Sequence, residues 1–126
     1  MTATNAHVAE ATATTEAEMR PQGVPVNLYE AREALVLVAP MPAVRCEDVC
    51  VEVRPGDPST VRFWAHVRSA APREYLLHEW EYGGYERQLD LPAGYGGAVE
   101  AMLKNGQLVV RVLRGDCTEA LTVAPS

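Results

Sequence analysis

Val99-Glu100-Ala101-Met102-Leu103-Lys104-Asn105-Gly106-Gln107-Leu108-Val109-Val110-Arg111-Val112 is the stretch that decides the fold. Val99, Ala101 and Leu103 stand two apart, and so do Leu108, Val110 and Val112. A period of two puts each trio on one face of an extended strand. Asn105-Gly106 between the runs signals a two-residue hairpin, because both turn positions need φ > 0. One antiparallel pair is therefore written into this single stretch.

The same alternation continues outward from it. Tyr85, Arg87, Leu89 and Leu91 alternate with Glu86, Gln88 and Asp90, and Val61, Phe63, Ala65 and Val67 alternate with Arg62, Trp64, His66 and Arg68. Val49, Val51 and Val53 alternate with Cys50 and Glu52; Leu35 to Ala39 is a continuous apolar run; Val26 and Leu28 alternate with Asn27 and Tyr29. Pro55-Gly56-Asp57-Pro58 reads as a tight turn, and Gly94-Tyr95-Gly96-Gly97 as a connecting loop. Short alternating runs punctuated by Pro and Gly mean strands, seven or eight of them, with no convincing helix. The expected class is all-β: an immunoglobulin-like antiparallel β-sandwich. Residues 24–114 form the sandwich domain, 1–23 a flexible polar N-terminal arm, and 115–126 a C-terminal tail. Residues 2–18 of it are nearly all Ala, Thr, Glu and Asn, too polar to offset an ordering cost of roughly 1–2 kcal/mol per residue.

Composition narrows the partners. The chain has 126 residues, one domain's worth, and its 17 acidic against 11 basic side chains leave a net charge of −6. That excess disfavours nucleic acid and anionic membrane surfaces, both of which need a basic face. No apolar run approaches the roughly 20 residues of a membrane helix, and no secretory leader is visible. The three cysteines, Cys46, Cys50 and Cys117, suit reduced thiols and a cytoplasmic location.

Candidate chemistry is sparse. No Gly-x-Ser-x-Gly elbow exists, and Ser59 and Ser69 fall at a turn and a strand end. Cys46 and Cys50 are four apart, looser than zinc-site spacing, and His66 and His78 belong to other segments. Cys50 faces away from the valines, partly exposed, with no activating base beside it. Glu47-Asp48 and Glu79/Glu81 lack an apolar pocket to raise a carboxyl pKa. The expectation is no catalytic residue, no cofactor and no metal.

Three segments carry more. The strand Tyr85-x-Arg87-x-Leu89-x-Leu91-Pro92, then Ala101-x-x-x-Asn105-Gly106-x-Leu108, then the tail Leu121-Thr122-Val123 fall in this order along the sandwich pattern. Met41-Pro42-Ala43-Val44, followed by Glu47-Asp48 and the Val49 strand, precedes them. In order and spacing the chain resembles the small heat-shock proteins, built on the alpha-crystallin domain, of the bacterial and archaeal type. The resemblance covers about Val24 to Val123. It departs at Ala43, where the pattern has glycine, at Gln107, where it has an apolar residue, and in the polar arm. An alanine at φ > 0 costs about 1 kcal/mol.

The resemblance implies an ATP-independent holdase that binds unfolding chains, with no enzyme activity. It implies a homodimer formed by strand exchange, and larger oligomers. The exchanged segment lies between Ser69 and Gly83, with Tyr75, Leu76 and Leu77 as its apolar patch; an ordinary hairpin inside one chain is the alternative. It also implies that Arg87 forms an interface ion pair, with Glu79, Glu81 and Glu86 as candidate partners. Leu121 and Val123 point the same way on an extended strand. By resemblance they fill a groove on a neighbouring subunit, between Val49, Val51, Val53 and Val99, Ala101, Leu103. Burying both contributes roughly 3–6 kcal/mol before ordering costs. Gly115-Asp116 and Pro125 read as a mobile tether. Two rival readings stay open: a sandwich-type co-chaperone adaptor without holdase activity, and a thiol- or metal-dependent protein using Cys46 and Cys50.

Overall fold

Each alternating run becomes a strand, and the apolar residues of most of them face one interior. The computed structural model describes residues 22–66, 74–77 and 84–126. The strands are β1 (Gln22–Gly23), β2 (Asn27–Glu30), β3 (Ala34–Pro40), β4 (Val49–Arg54), β5 (Thr60–Ala65), β6 (Tyr85–Asp90), β7 (Tyr95–Lys104), β8 (Gln107–Arg114) and β9 (Leu121–Val123). They form a five-stranded sheet, β1-β6-β5-β4-β9, and a four-stranded sheet, β2-β3-β8-β7. Every pairing is antiparallel except the short parallel β1–β6 contact. The chain is an all-β two-sheet sandwich of immunoglobulin-like type.

The core follows from the period of two. Val49, Val51 and Val53 meet Ala65, Phe63 and Val61 across the β4–β5 ladder, and all six are buried. Leu35, Leu37 and Ala39 oppose Val112, Val110 and Leu108 in the other sheet, again all buried. Phe63 is the largest side chain with no exposure; Tyr85 and Tyr95 are also buried, and the rest of the interior is Val, Leu, Met and Ala. No buried side-chain N or O among the described residues lacks a hydrogen-bond partner. Such a core is small in aromatics yet polar-free, as the 6% aromatic content requires.

The turns behave as their residues dictate. Asn105 and Gly106 take φ of 54° and 75°, closing the β7–β8 hairpin with Lys104 opposite Gln107. Ala43 sits at φ 66°, so the left-handed turn is made by a residue with a Cβ. The Tyr85 hydroxyl donates to the Pro42 carbonyl at 3.0 Å and ties that turn to β6.

Two segments differ from their sequence reading. Gln22 and Gly23, the end of the stretch read as an arm, form β1 on the edge of β6. Tyr95, Gly96 and Gly97, read as loop, belong to β7, where the register slips between Tyr95 and Ala98. That slip is a β-bulge, and glycine in a strand is a common sign of one. Tyr95 is buried there, and its hydroxyl donates to Glu30 Oε1 at 3.0 Å.

Candidate functional site

A sandwich has two open sides, and in this chain they are finished differently. On one side lie β4 and β7, the edges of the two sheets. Val49, Val51 and Val53 floor this side from β4, and the half-buried Val99, Ala101 and Leu103 line it from β7. Into the groove comes β9. Val51 pairs with Val123, Glu52 with Thr122, and Val53 with Leu121. Leu121 and Val123 pack against the core from this position, while Thr122 points outward.

The resemblance implies a tail on a neighbouring subunit; in the structure the tail lies in the groove of its own chain. The linker explains the reach. Residues 115–120 separate β8 from β9, and such a segment spans up to about 20 Å, against about 10 Å between packed sheets. Nor are the flanking residues a loose tether. The Gly115 N–H donates to the Gly94 carbonyl at 2.9 Å. Pro125 is buried, and the Ser126 N–H donates to the Ala101 carbonyl at 3.2 Å, while the Leu103 N–H donates to the Ser126 carbonyl at 3.1 Å. The tail therefore bonds through its backbone to β4 in one sheet and to β7 in the other. No motif in the sequence pointed to Pro125 or Ser126, because main-chain bonding leaves no side-chain signature.

On the opposite side lie β1 and β2. All four residues of β2 are exposed, including Leu28 and Tyr29, and among the described residues no strand pairs with its outer edge. Tyr75, Leu76 and Leu77 are also exposed and lie in no strand. The remainder of the segment expected to cross over, 69–73 and 78–83, lies outside the described residues.

Arg87 faces the interior side of β6, opposite Phe63, and its Nη1 donates to the Val24 carbonyl at 2.7 Å. Glu86, one of its expected partners, points to the other face and pairs with Arg62, whose Nε lies 2.7 Å from Glu86 Oε2. Arg62 also stacks 4.2 Å over the Trp64 ring. Strand alternation forbids neighbours 86 and 87 from sharing a partner on one face. Glu79 and Glu81 lie outside the described residues. On β4, burial and then the charge of Glu52 push the Cys50 thiol pKa up, the reverse of an activated thiolate. Cys46, Cys50 and Cys117 are all free. Among the described residues, no group of three or more His, Cys, Asp or Glu is placed to hold a metal ion, and no helix is long and apolar enough to cross a membrane.

No protein-family model matches the sequence, and no curated protein matches it. Solved structures do. HspA from Xanthomonas axonopodis superposes with a TM-score of 0.60 at 22% identity, covering 74% of this chain and 94% of that one. Heat shock protein 16.0 from Schizosaccharomyces pombe gives a TM-score of 0.57 at 18% identity, covering 78% and 92%. HSP18.5 from E. histolytica gives 0.57 at 16% identity, covering 74% and 88%. With its two sheets, its Asn-Gly hairpin and its tail strand on β4, the chain has the β-sandwich fold of the small heat-shock proteins.

Proposed function

We propose that this chain is an ATP-independent holdase of the small heat-shock type, acting in the cytoplasm, that binds unfolding proteins and delays their aggregation. The observation that carries the reading is a sandwich with strand-accepting edges. One pair, β4 and β7, already holds an added strand; the other side leaves β2 open beside exposed Leu28 and Tyr29. Added strands bind through backbone hydrogen bonds, which any extended polypeptide supplies, and apolar pockets hold alternate side chains. An unfolding client offers both. The net charge of −6 keeps nucleic acid and anionic membranes out of the account.

In this reading two copies meet at β2. The segment bearing Tyr75, Leu76 and Leu77 pairs with the β2 edge of a sister chain and covers it, as exposed strand edges require. Arg87 holds the start of β2's approach through the Val24 carbonyl and stands beside the interface for an ion pair with Glu79 or Glu81. Light scattering of a heat-labile client with and without the protein tests the activity. Delayed aggregation near equimolar ratio is expected; unchanged scattering at molar excess overturns it. The self-docked tail favours a second reading, a self-contained adaptor module that docks on a larger chaperone. That reading expects a monomer with no effect on the client.

A further inference from the structure

Where the chain leaves β8 it doubles back over the β7 bulge at unusually close range. The Arg114 N–H donates to the Glu33 carbonyl at 3.2 Å and the Gly115 N–H to the Gly94 carbonyl at 2.9 Å. A Cβ on Gly96 would stand 2.5 Å from Cys117 Cβ. One on Gly97 would stand 2.7 Å from the Arg114 carbonyl oxygen and 3.1 Å from Gly115 Cα. Gly96 and Gly115 also have φ of 126° and 132°, conformations that side-chain-bearing residues rarely adopt. Three glycines therefore let Arg114-Gly115-Asp116-Cys117 lie directly on the bulge. From Cys117 only Thr118, Glu119 and Ala120 remain before β9 begins at Leu121. A segment that short reaches its own β4 edge and has little freedom to reach another copy.

We propose that the contact of Gly96 and Gly97 with Gly115–Cys117 is a latch that commits the tail to its own groove. The latched tail is an autoinhibitory strand. It occupies Val51 and Val53 through β9 and Ala101 and Leu103 through Ser126, so neither edge accepts a strand from elsewhere. With the latch open, the tail competes for its groove from a wide range of positions, and its effective concentration there falls. The β4 and β7 edges then take a second copy's tail. The proposal rests on reading the groove as a strand-docking place.

The test uses a fluorescent synthetic peptide of residues 117–126 and measures its binding by anisotropy. The full chain should bind it weakly. The chain lacking residues 116–126 should bind it at least tenfold more tightly, and the full-length variants Gly96→Val and Gly115→Val should approach that truncated chain. Gly115→Val opens the latch from the tail side, with β7 unaltered, and circular dichroism confirms that each variant keeps its strands. Faster amide exchange at Leu121–Val123 in both variants is the second expected readout. Folded latch variants that bind peptide no better than wild type, with unchanged exchange, overturn the latch. A truncated chain that binds peptide yet leaves client aggregation unchanged would instead overturn the holdase and leave the latch standing.

Discussion

The two sides of this sandwich solve one problem in opposite ways. On the β4–β7 side the chain lays residues 121–126 over its own edges, and Val51 and Val53 beneath them are wholly buried. On the β1–β2 side the described residues add little cover. β1 is two residues long, β2 four, and Leu28 and Tyr29 stay in water. An edge covered from within makes a stable monomer; an edge left open invites a partner. One side is therefore closed by the chain itself, and the proposed self-association falls to the other, so each can be broken alone.

The largest expected effect is on the open side. Replacing Leu76 and Leu77 by Asp should halve the mass measured by light scattering, from dimer to monomer. Both side chains are exposed in the single chain, so at dilutions where both proteins are monomeric the stability should differ by no more than about 0.5 kcal/mol. An unchanged mass would remove this segment from the interface. The next effect is on the closed side. Deleting residues 116–126 uncovers the groove and should cost on the order of 2 kcal/mol, the net of two half-buried aliphatic side chains. The truncated chain should also bind a hydrophobic dye that the full chain ignores. Equal stability and equal dye binding would mean that the tail covers nothing.

A smaller effect belongs to the turn that carries the chain from one sheet to the other. Ala43 at φ 66° should yield about 1 kcal/mol of added stability on replacement by glycine, seen in chemical denaturation. A loss of stability would show that the turn tolerates the Cβ without strain. The smallest effect is a pH dependence with one group on each side. Burial raises the pKa of Cys50 on β4 and of Tyr85 on β6. Both hold their protons longer in the fold than in the unfolded chain. The stability they contribute is complete below about pH 8.5, then declines as the pH rises through the thiol and phenol ranges toward the raised folded values. Cys50→Ser should remove the earlier part of that decline and Tyr85→Phe the later part, the latter also losing about 1 kcal/mol with the bond to Pro42. A melting temperature flat from neutral pH to about pH 11 would contradict both.

Much of this was legible without coordinates. Period-two alternation sorted Val51 from Cys50 and Leu108 from Gln107, because a strand has only two faces. Asn105-Gly106 set the β7–β8 register, because few residue pairs tolerate two positive φ angles. The family resemblance puts a glycine at the place of Ala43, and the turn there takes φ 66°. The partner of Arg87 was not legible, since Val24 offers a backbone carbonyl, and carbonyls are common to every residue. Nor was the role of Gly96 and Gly97. A glycine pair reads as a loop until the segment that needs the space is in place, here Gly115–Cys117.

Local pattern was enough to say which residues alternate and where most of the turns fall, because alternation and turn chemistry are set by neighbours along the chain. Only the tertiary structure decided what covers each edge. Whether Leu121 and Val123 settle on their own β4 depends on the distance from the end of β8 to that strand, and on the room the β7 glycines leave for the chain to turn back. Those are properties of strands packed in space, and no local pattern encodes them.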